Sequence, residues 1–390
     1  MTTVTLPLPD RSLEDYTIKN GPLEVKRGAA QAGNASRIAY SAVHVTADPL
    51  ADNDPWLDAA IDWDKTIAFR HYIWDLGLGV AEAMDTAQRG MGIDWPTALE
   101  LIRRSLDAAK DRPGVLIASG AGTDHLPAEA GVTIDDVIRA YEEQVGAIEA
   151  LGGRIILMAS RALVRAARGP DDYLRVYDRI LSQTREPVII HWLGEMFDPA
   201  LEGYWGSRDH NAAMDTALAA ISANAAKVDG IKISLLSKEK EIAMRRRLPA
   251  GVRMYTGDDF NYAELIAGDA HGYSDALLGI FDAIAPAAAV AIDHLSAGDE
   301  KSFHDILAPT VPLSRHIFKP PTRFYKTGVV FLAYLNGLQD HFAMVGGQQS
   351  ARSVVHLAEL FRLADRARVL RDPELAARRM KDVMAVAGIA

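Results

Sequence analysis

Eight short apolar runs, each followed by a longer polar or amphipathic stretch, leave this chain few architectures to choose from. The runs are Arg37–Val45, Leu76–Met84, Gly114–Ser119, Gly152–Ser160, Pro187–Trp192, Val228–Leu235, Val252–Gly257 and His271–Ala276. Several are continuous β-branched stretches without alternation, as parallel strands covered on both faces require. Between them lie helical patterns. Ile134, Val137, Ile138, Tyr141, Val145 and Ile148 recur at helical spacing, Thr133 and Asp136 suit a helix start, and Gly152 follows the end. This order predicts an α/β chain folded as a (β/α)8 TIM barrel. A doubly wound sheet is the alternative, but the first run leads into "HVTADPLADNDP" instead of a glycine-rich phosphate turn.

The chain divides into an N-terminal arm over residues 1–36, a barrel over 37–286 and a C-terminal helical extension over 287–390. Helical patterns in the extension are "EKSFHDILAPTVPLSRHIF", "FYKTGVVFLAYLNGLQDHF" and "SVVHLAELFRLADRARVL". With 390 residues, 49% of them hydrophobic and 24% charged, the chain has the balance of a soluble protein with a sizeable core. A formal net charge of -10 argues against nucleic acid as a partner. There is no cysteine, which excludes disulfides, thiolate metal sites and a cysteine nucleophile. The N-terminal stretch lacks the charged-then-apolar pattern of a signal peptide, and no run reaches the roughly 18 apolar residues of a membrane span. A cytoplasmic protein without a membrane partner is expected.

Barrel enzymes carry their chemistry at the C-terminal ends of the strands. Those positions here hold His44, Thr46 and Asp48; Asp85, Thr86 and Gln88; Ser119, Gly120, Gly122, Thr123, Asp124 and His125; and Ser160 and Arg161. Next come His191 and Glu195, Lys232 and Ser234, and "TGDD", Thr256 to Asp259. Lys232 is the conspicuous member, because Val228, Ile231, Ile233, Leu235 and Leu236 around it read as a buried strand. Its ammonium could snorkel or pair with Asp258 or Asp259. Pointed into an enclosed barrel it would be desolvated, which lowers its pKa and frees the amine to attack a carbonyl and form a Schiff base.

The segment "DGIKISLL", followed by "YTGDDFNYAELIAGDAHGYSDALLGIFDAIAP", resembles the dihydrodipicolinate synthase / N-acetylneuraminate lyase superfamily of class I aldolases. That superfamily shows a "GIK" strand, an "SGDD" turn and a glycine-rich strand before a helix. "EPVIIHWLGE" and "DWDKTIAFRHYIWDLGLGVAEAMDTAQ" fall where it has "P-I-x-L-Y-N-x-P" and a helix, a strand and "G-T-T-G-E". The likeness covers Arg37 to Pro286, and within the superfamily the chain most resembles a divergent bacterial branch, domain of unknown function 993. The resemblance implies an aldolase or lyase in which Lys232 forms the imine. The superfamily's proton-relay tyrosine would fall at His191, whose unperturbed pKa suits proton transfer near neutrality. Its two threonines would fall at Asp85 and Thr86, and its glutamate at Gln88. Asp85 in place of a small hydroxyl residue argues against a pocket for the carboxylate of pyruvate.

The expected catalytic residues are therefore Lys232 and His191. Asp85, Thr86, Gln88, Glu195, Ser234, Asp258 and Asp259 are the expected substrate contacts, and the substrate is a small oxo-acid or sugar-derived carbonyl compound. No cofactor is expected, and a homo-oligomer, dimer or tetramer, is implied by the superfamily. Two alternatives stand beside this. One is a metal-dependent sugar isomerase or lyase using His191, Glu195 and Asp258; His44, Asp85, Asp259 and His271 could also supply ligands, although no compact ligand motif links them. The other is a barrel that binds a ligand without turning it over. Glycines in "SGAGTD" could cradle a phosphate, though a tight turn is the simpler reading. "RHIFKPPTRFYKTG" gathers Arg315, His316, Lys319, Arg323 and Lys326 with Phe324 and Tyr325. A solvated, proline-broken connection is the default reading, and its place where the tail could fold over the barrel mouth also permits contact with an anionic substrate.

Overall fold

The computed structural model describes residues 2–24 and 35–389. The part of the expected arm between 25 and 34 lies outside the described residues. An antiparallel hairpin comes first, β1 (Thr3–Pro7) with β2 (Leu13–Thr17). Eight parallel strands follow: β3 (Ala39–Ala42), β4 (Gly79–Glu82), β5 (Ile117–Ala121), β6 (Ile155–Leu157), β7 (Val188–Leu193), β8 (Val228–Ser234), β9 (Arg253–Thr256) and β10 (Asp275–Leu278). They pair in chain order and close where Leu278 of β10 meets Ser41 of β3. A parallel sheet must be covered on both faces, and closure removes its edges.

The helices start where the side chains can cap them. Thr133 and Asp136 form a reciprocal capping box on Ile134–Ala150, while Asp62 caps Trp63–Asp75 and Asp94, with Pro96, begins Trp95–Lys110. The eighth strand lies later than the sequence pattern indicated. Asp269 to Gly272 close a turn, with Gly272 at φ +140, so the strand is the apolar "DALL" and not the stretch from His271. His271 thereby sits in an exposed turn that enters the barrel strand, at the end away from the C-terminal strand ends.

The barrel interior is packed by Tyr40, Ala42, Ala81, Met84, Ala118, Ile156, Ile189, Tyr255 and Leu277. The C-terminal region is helical, as expected, with helices Ala285–Ser296, Glu300–Leu307, Thr310–Ile317, Tyr325–Leu335, Val354–Arg366 and Pro373–Val386. The expected continuous helix from Glu300 is broken at Ala308–Pro309. Phe303, Leu313, Phe318, Phe331 and Phe361 from these helices share one hydrophobic cluster with Val43, Val80 and Leu278 of the barrel. Val4 and Leu6 of the hairpin belong to the same cluster. Asp365 fastens the hairpin, accepting from Tyr16 Oη and from the backbone N–H of Lys19 and Asn20. No helix among the described residues is long and apolar enough to cross a membrane.

One buried ion pair joins the helix layer to the barrel. Arg70, in the helix Trp63–Asp75, donates two hydrogen bonds to Glu82 at the end of β4, and both side chains are completely buried. Arg70 also donates to the carbonyls of His44 and Thr66, while Ser105 Oγ and the Ala83 N–H donate to Glu82. With every partner in place the pair is satisfied; with one removed, a bare charge stays buried. Glu82→Ala should cost about 3–5 kcal/mol in urea unfolding, and the double variant Arg70→Met/Glu82→Leu should recover most of that loss.

Candidate functional site

Alternation along β8 decides the direction of Lys232. Ile231 and Ile233 pack in the outer layer with the helices, so Gly230, Lys232 and Ser234 face the interior. The β7–β8 register sets His191 directly beside Lys232, with Ile189 two residues earlier on the same inner face. Gly257, at the end of β9, lets the lysine stem through. A Cβ there would lie 2.7 Å from Lys232 Cε and 2.6 Å from the Ile233 carbonyl.

The cavity at this end is lined by Ala42, Met84, Asp85, Thr86, His191, Leu193, Phe197, Lys232, Ser234, Asp259, Gly279 and Tyr325. Lys232 is 7% exposed, and among the described residues its ammonium has no hydrogen bond or ion-pair partner. Burial lowers its pKa, opposed by the charges of Asp259 and Asp85. Asp259 moves the other way: burial raises it, and Lys232 together with the Ile280 N–H it accepts from restrains the rise. His191 is pushed well below its ordinary value by burial and then by the charge of Lys232, so it is a neutral imidazole at pH 7. Its Nε2 lies 3.3 Å from Ser234 Oγ.

The structure brings six of the nine expected site residues together: Lys232, His191, Asp85, Thr86, Ser234 and Asp259. The other three are held elsewhere by local partners. Asp258 accepts from the N–H groups of Phe260 and Asn261 and from Asn261 Nδ2, closing its own turn. Gln88 donates to the carbonyls of Met91 and Val345, tying a C-terminal segment down. Glu195 pairs with His210 at 3.2 Å. Of the residues considered for a metal, Asp85, His191 and Asp259 line the cavity, while His44, Glu195, Asp258 and His271 do not. His44 is bound to Asp282 at 2.8 Å, and no group of three or more suitable side chains occurs among the described residues.

Tyr325 is the member that the strand-end reading leaves out. It opens the helix Tyr325–Leu335, and its hydroxyl shares a 2.8 Å hydrogen bond with Thr86 Oγ1. Its ring stacks on Phe318 at 4.3 Å, and Gly279 makes room for both, since a Cβ there would stand 3.2 Å from each ring. Burial, followed by the charge of Asp85, raises the phenol well above its ordinary pKa, so it stays protonated. The only signal in the sequence was the aromatic pair of the "RFYKTG" segment, placed after the barrel and before an apolar helix.

An eight-stranded parallel barrel with a buried, inward-facing lysine on its sixth strand defines the class of this protein. Among solved structures, the chain is similar to 4-hydroxy-tetrahydrodipicolinate synthase from Methylacidiphilum fumariolicum SolV, with TM-score 0.61 and 14% identity over 90% of this chain and 98% of that one. It is also similar to the chloride-inhibited dihydrodipicolinate synthase from Acinetobacter baumannii complexed with pyruvate, with TM-score 0.58 and 15% identity over 91% and 99%. The dihydrodipicolinate synthase from Oceanobacillus iheyensis gives 0.57 and 13% over 85% and 97%. These likenesses establish the fold. Curated protein sequences give no match. The model of the family described as protein of unknown function (DUF993) matches residues 4–389, and the chain belongs to that family.

The electrostatics of Lys232 are directly measurable. Cyanate carbamoylates only the neutral amine, so the pH profile of Lys232 labelling, followed by peptide mass spectrometry, should have its midpoint below 10.5. Asp259→Asn removes the counter-charge that raises this pKa and should move the midpoint lower still.

Proposed function

We propose that the protein is a lyase of the class I aldolase type, acting through a Schiff base on Lys232 with a small oxo-acid or sugar-derived carbonyl compound. The observation that carries this reading is the lysine itself: buried, unpartnered and held with a lowered pKa in a cavity lined by proton-carrying groups. A lysine serving stability would be paired or would reach water.

The chemistry follows from the lining. The neutral amine of Lys232 adds to the carbonyl carbon, and the carbinolamine loses water to give an iminium. In the cleavage direction, the β-hydroxyl of the substrate gives up its proton and the Cα–Cβ bond breaks. An aldehyde departs and the bonding electrons form a neutral enamine. His191, opposite Lys232, is suited to take that proton. The positive charge beside it disappears as the enamine forms, which relieves the repulsion that depresses its pKa. The enamine is then protonated at carbon, and water hydrolyses the iminium to release the second product and the free lysine. Thr86 and Tyr325, hydroxyl to hydroxyl, can pass a proton along their hydrogen bond without either carrying charge, which suits the additions and losses of water. Asp85 and Asp259 balance the iminium.

Borohydride reduction in the presence of a carbonyl substrate should leave a stable adduct on the peptide containing Lys232. Lys232→Ala should give none, and adducts confined to other lysines would sink the reading. Tyr325→Phe should keep the adduct but slow turnover by about 10²-fold, the range for loss of a proton-transferring group.

A further inference from the structure

The cavity at Lys232 adjoins a larger one of about 170 Å3, and Met84, Asp85, His191 and Leu193 line both. The two spaces differ in the cations that line them. Around Lys232 the other ionisable lining groups are Asp85, Asp259, His191 and Tyr325, and among the described residues neither an arginine nor a second lysine lines that space. A carboxylate or phosphate beside the reacting carbonyl would lie against two carboxyl groups, and Lys326, which feels the charge of Asp85, lies outside that lining. A hydroxyl group there would instead donate hydrogen bonds to the same carboxylates.

The outer space carries both signs: Asp85, Asp124 and Asp198 line it together with Arg89 and Arg161. The two arginines are not equivalent. Arg89 is fully committed: its guanidinium donates to Asp124, to Gln144 and to the carbonyls of Ala83 and Gly120. Arg161, at the start of the helix Arg161–Ala166, spends only its Nε, on Asp198. Its two Nη groups have no protein partner among the described residues, and the side chain, 48% exposed, stands at the cavity wall where it also meets solvent. A planar fork with two free nitrogens is suited to an oxyanion. Thr123, whose hydroxyl shares a hydrogen bond with Ser160, adds a polar group to the same wall.

We propose that the carbonyl substrate is a hydroxyketone or hydroxyaldehyde that meets Lys232 at an uncharged, hydroxyl-bearing end and carries an anionic group at its far end, held by Arg161. This rests on the imine reading and narrows it, because it removes substrates whose carboxylate adjoins the carbonyl. It also assigns the two compartments. Bond making and breaking occur in the inner one, with His191 at the junction, and the outer one measures the length and charge of the chain.

Borohydride trapping with matched probes tests each part. Hydroxyacetone and pyruvate share a three-carbon ketone skeleton and differ in a hydroxymethyl against a carboxylate. Hydroxyacetone should label Lys232 about tenfold faster, the scale of one charge-assisted contact. Faster labelling by pyruvate would overturn the inference and leave the imine reading standing. D-fructose, D-fructose 6-phosphate and D-fructuronate share a C2 ketone and differ at the distant C6. One of the two anionic sugars should half-saturate labelling at about one tenth of the concentration fructose needs, and the better of them identifies the anion as phosphate or carboxylate. Arg161→Gln should abolish that advantage, and Arg161→Lys should restore part of it. Equal half-saturation by all three sugars would overturn the distal-anion assignment. If none of the probes labels Lys232, the imine reading falls and this inference falls with it.

Discussion

The arrangement of the site depends on the two-residue period of a single strand. With Ile231 and Ile233 committed to the helix layer, Lys232 has no direction open to it but the barrel interior. The closed sheet then denies it the route to water that a surface lysine takes by extending its stem. A shift of one residue in the register of β8 would reverse every one of these placements, burying the isoleucines in the mouth and driving the amine among helices. The outer-layer packing of Ile231 and Ile233 thus fixes the position of a charge neither of them touches.

Around that lysine, charge is distributed so that each group unsettles its neighbour. The lysine depresses His191, Asp259 holds part of the positive charge on Lys232, and burial works against both members of the pair. None of this favours the folded state, and the stability comes from elsewhere. The hydrophobic layer between strands and helices supplies it, together with fully satisfied polar clusters such as Arg70 with Glu82. The contrast separates framework from site: Glu82 is surrounded by donors, whereas Lys232 has none to receive its protons.

The barrel was legible because parallel strands buried on both faces leave unbroken apolar runs, and Lys232 because it interrupts one of them. His191 and Ser234 were legible through the same strands. Asp85 and Thr86 lie just past a strand end, where the chain turns over the mouth. Gln88, Glu195 and Asp258 occupy similar positions, yet Glu195 and Asp258 are taken by partners nearby in the chain and the Gln88 amide by the distant Val345 carbonyl, which residue type does not reveal. Tyr325 was legible only as one member of a segment that could reach over the mouth. It is remote in the chain and reaches the mouth only because Phe318 and the apolar face of its helix dock on the barrel. The hairpin of β1 and β2 was read only as an arm, although Val4 and Leu6 alternate with Thr3 and Thr5 and are buried, because the C-terminal helices that cover them are remote in the chain.

The hydrogen bond between Thr86 and Tyr325 has a consequence for inheritance. A barrel enzyme is usually regarded as a scaffold whose loops can be exchanged while the rest is kept, but here a segment beyond the last strand closes the wall of the pocket. The barrel strands and the tail can then diverge only together, because a change in one alters the solvent around the amine of the other. Grafting this lysine and its strand neighbours onto a related barrel would transfer the nucleophile without its enclosure, and a fusion or truncation within the last third of the chain would act directly on the chemistry.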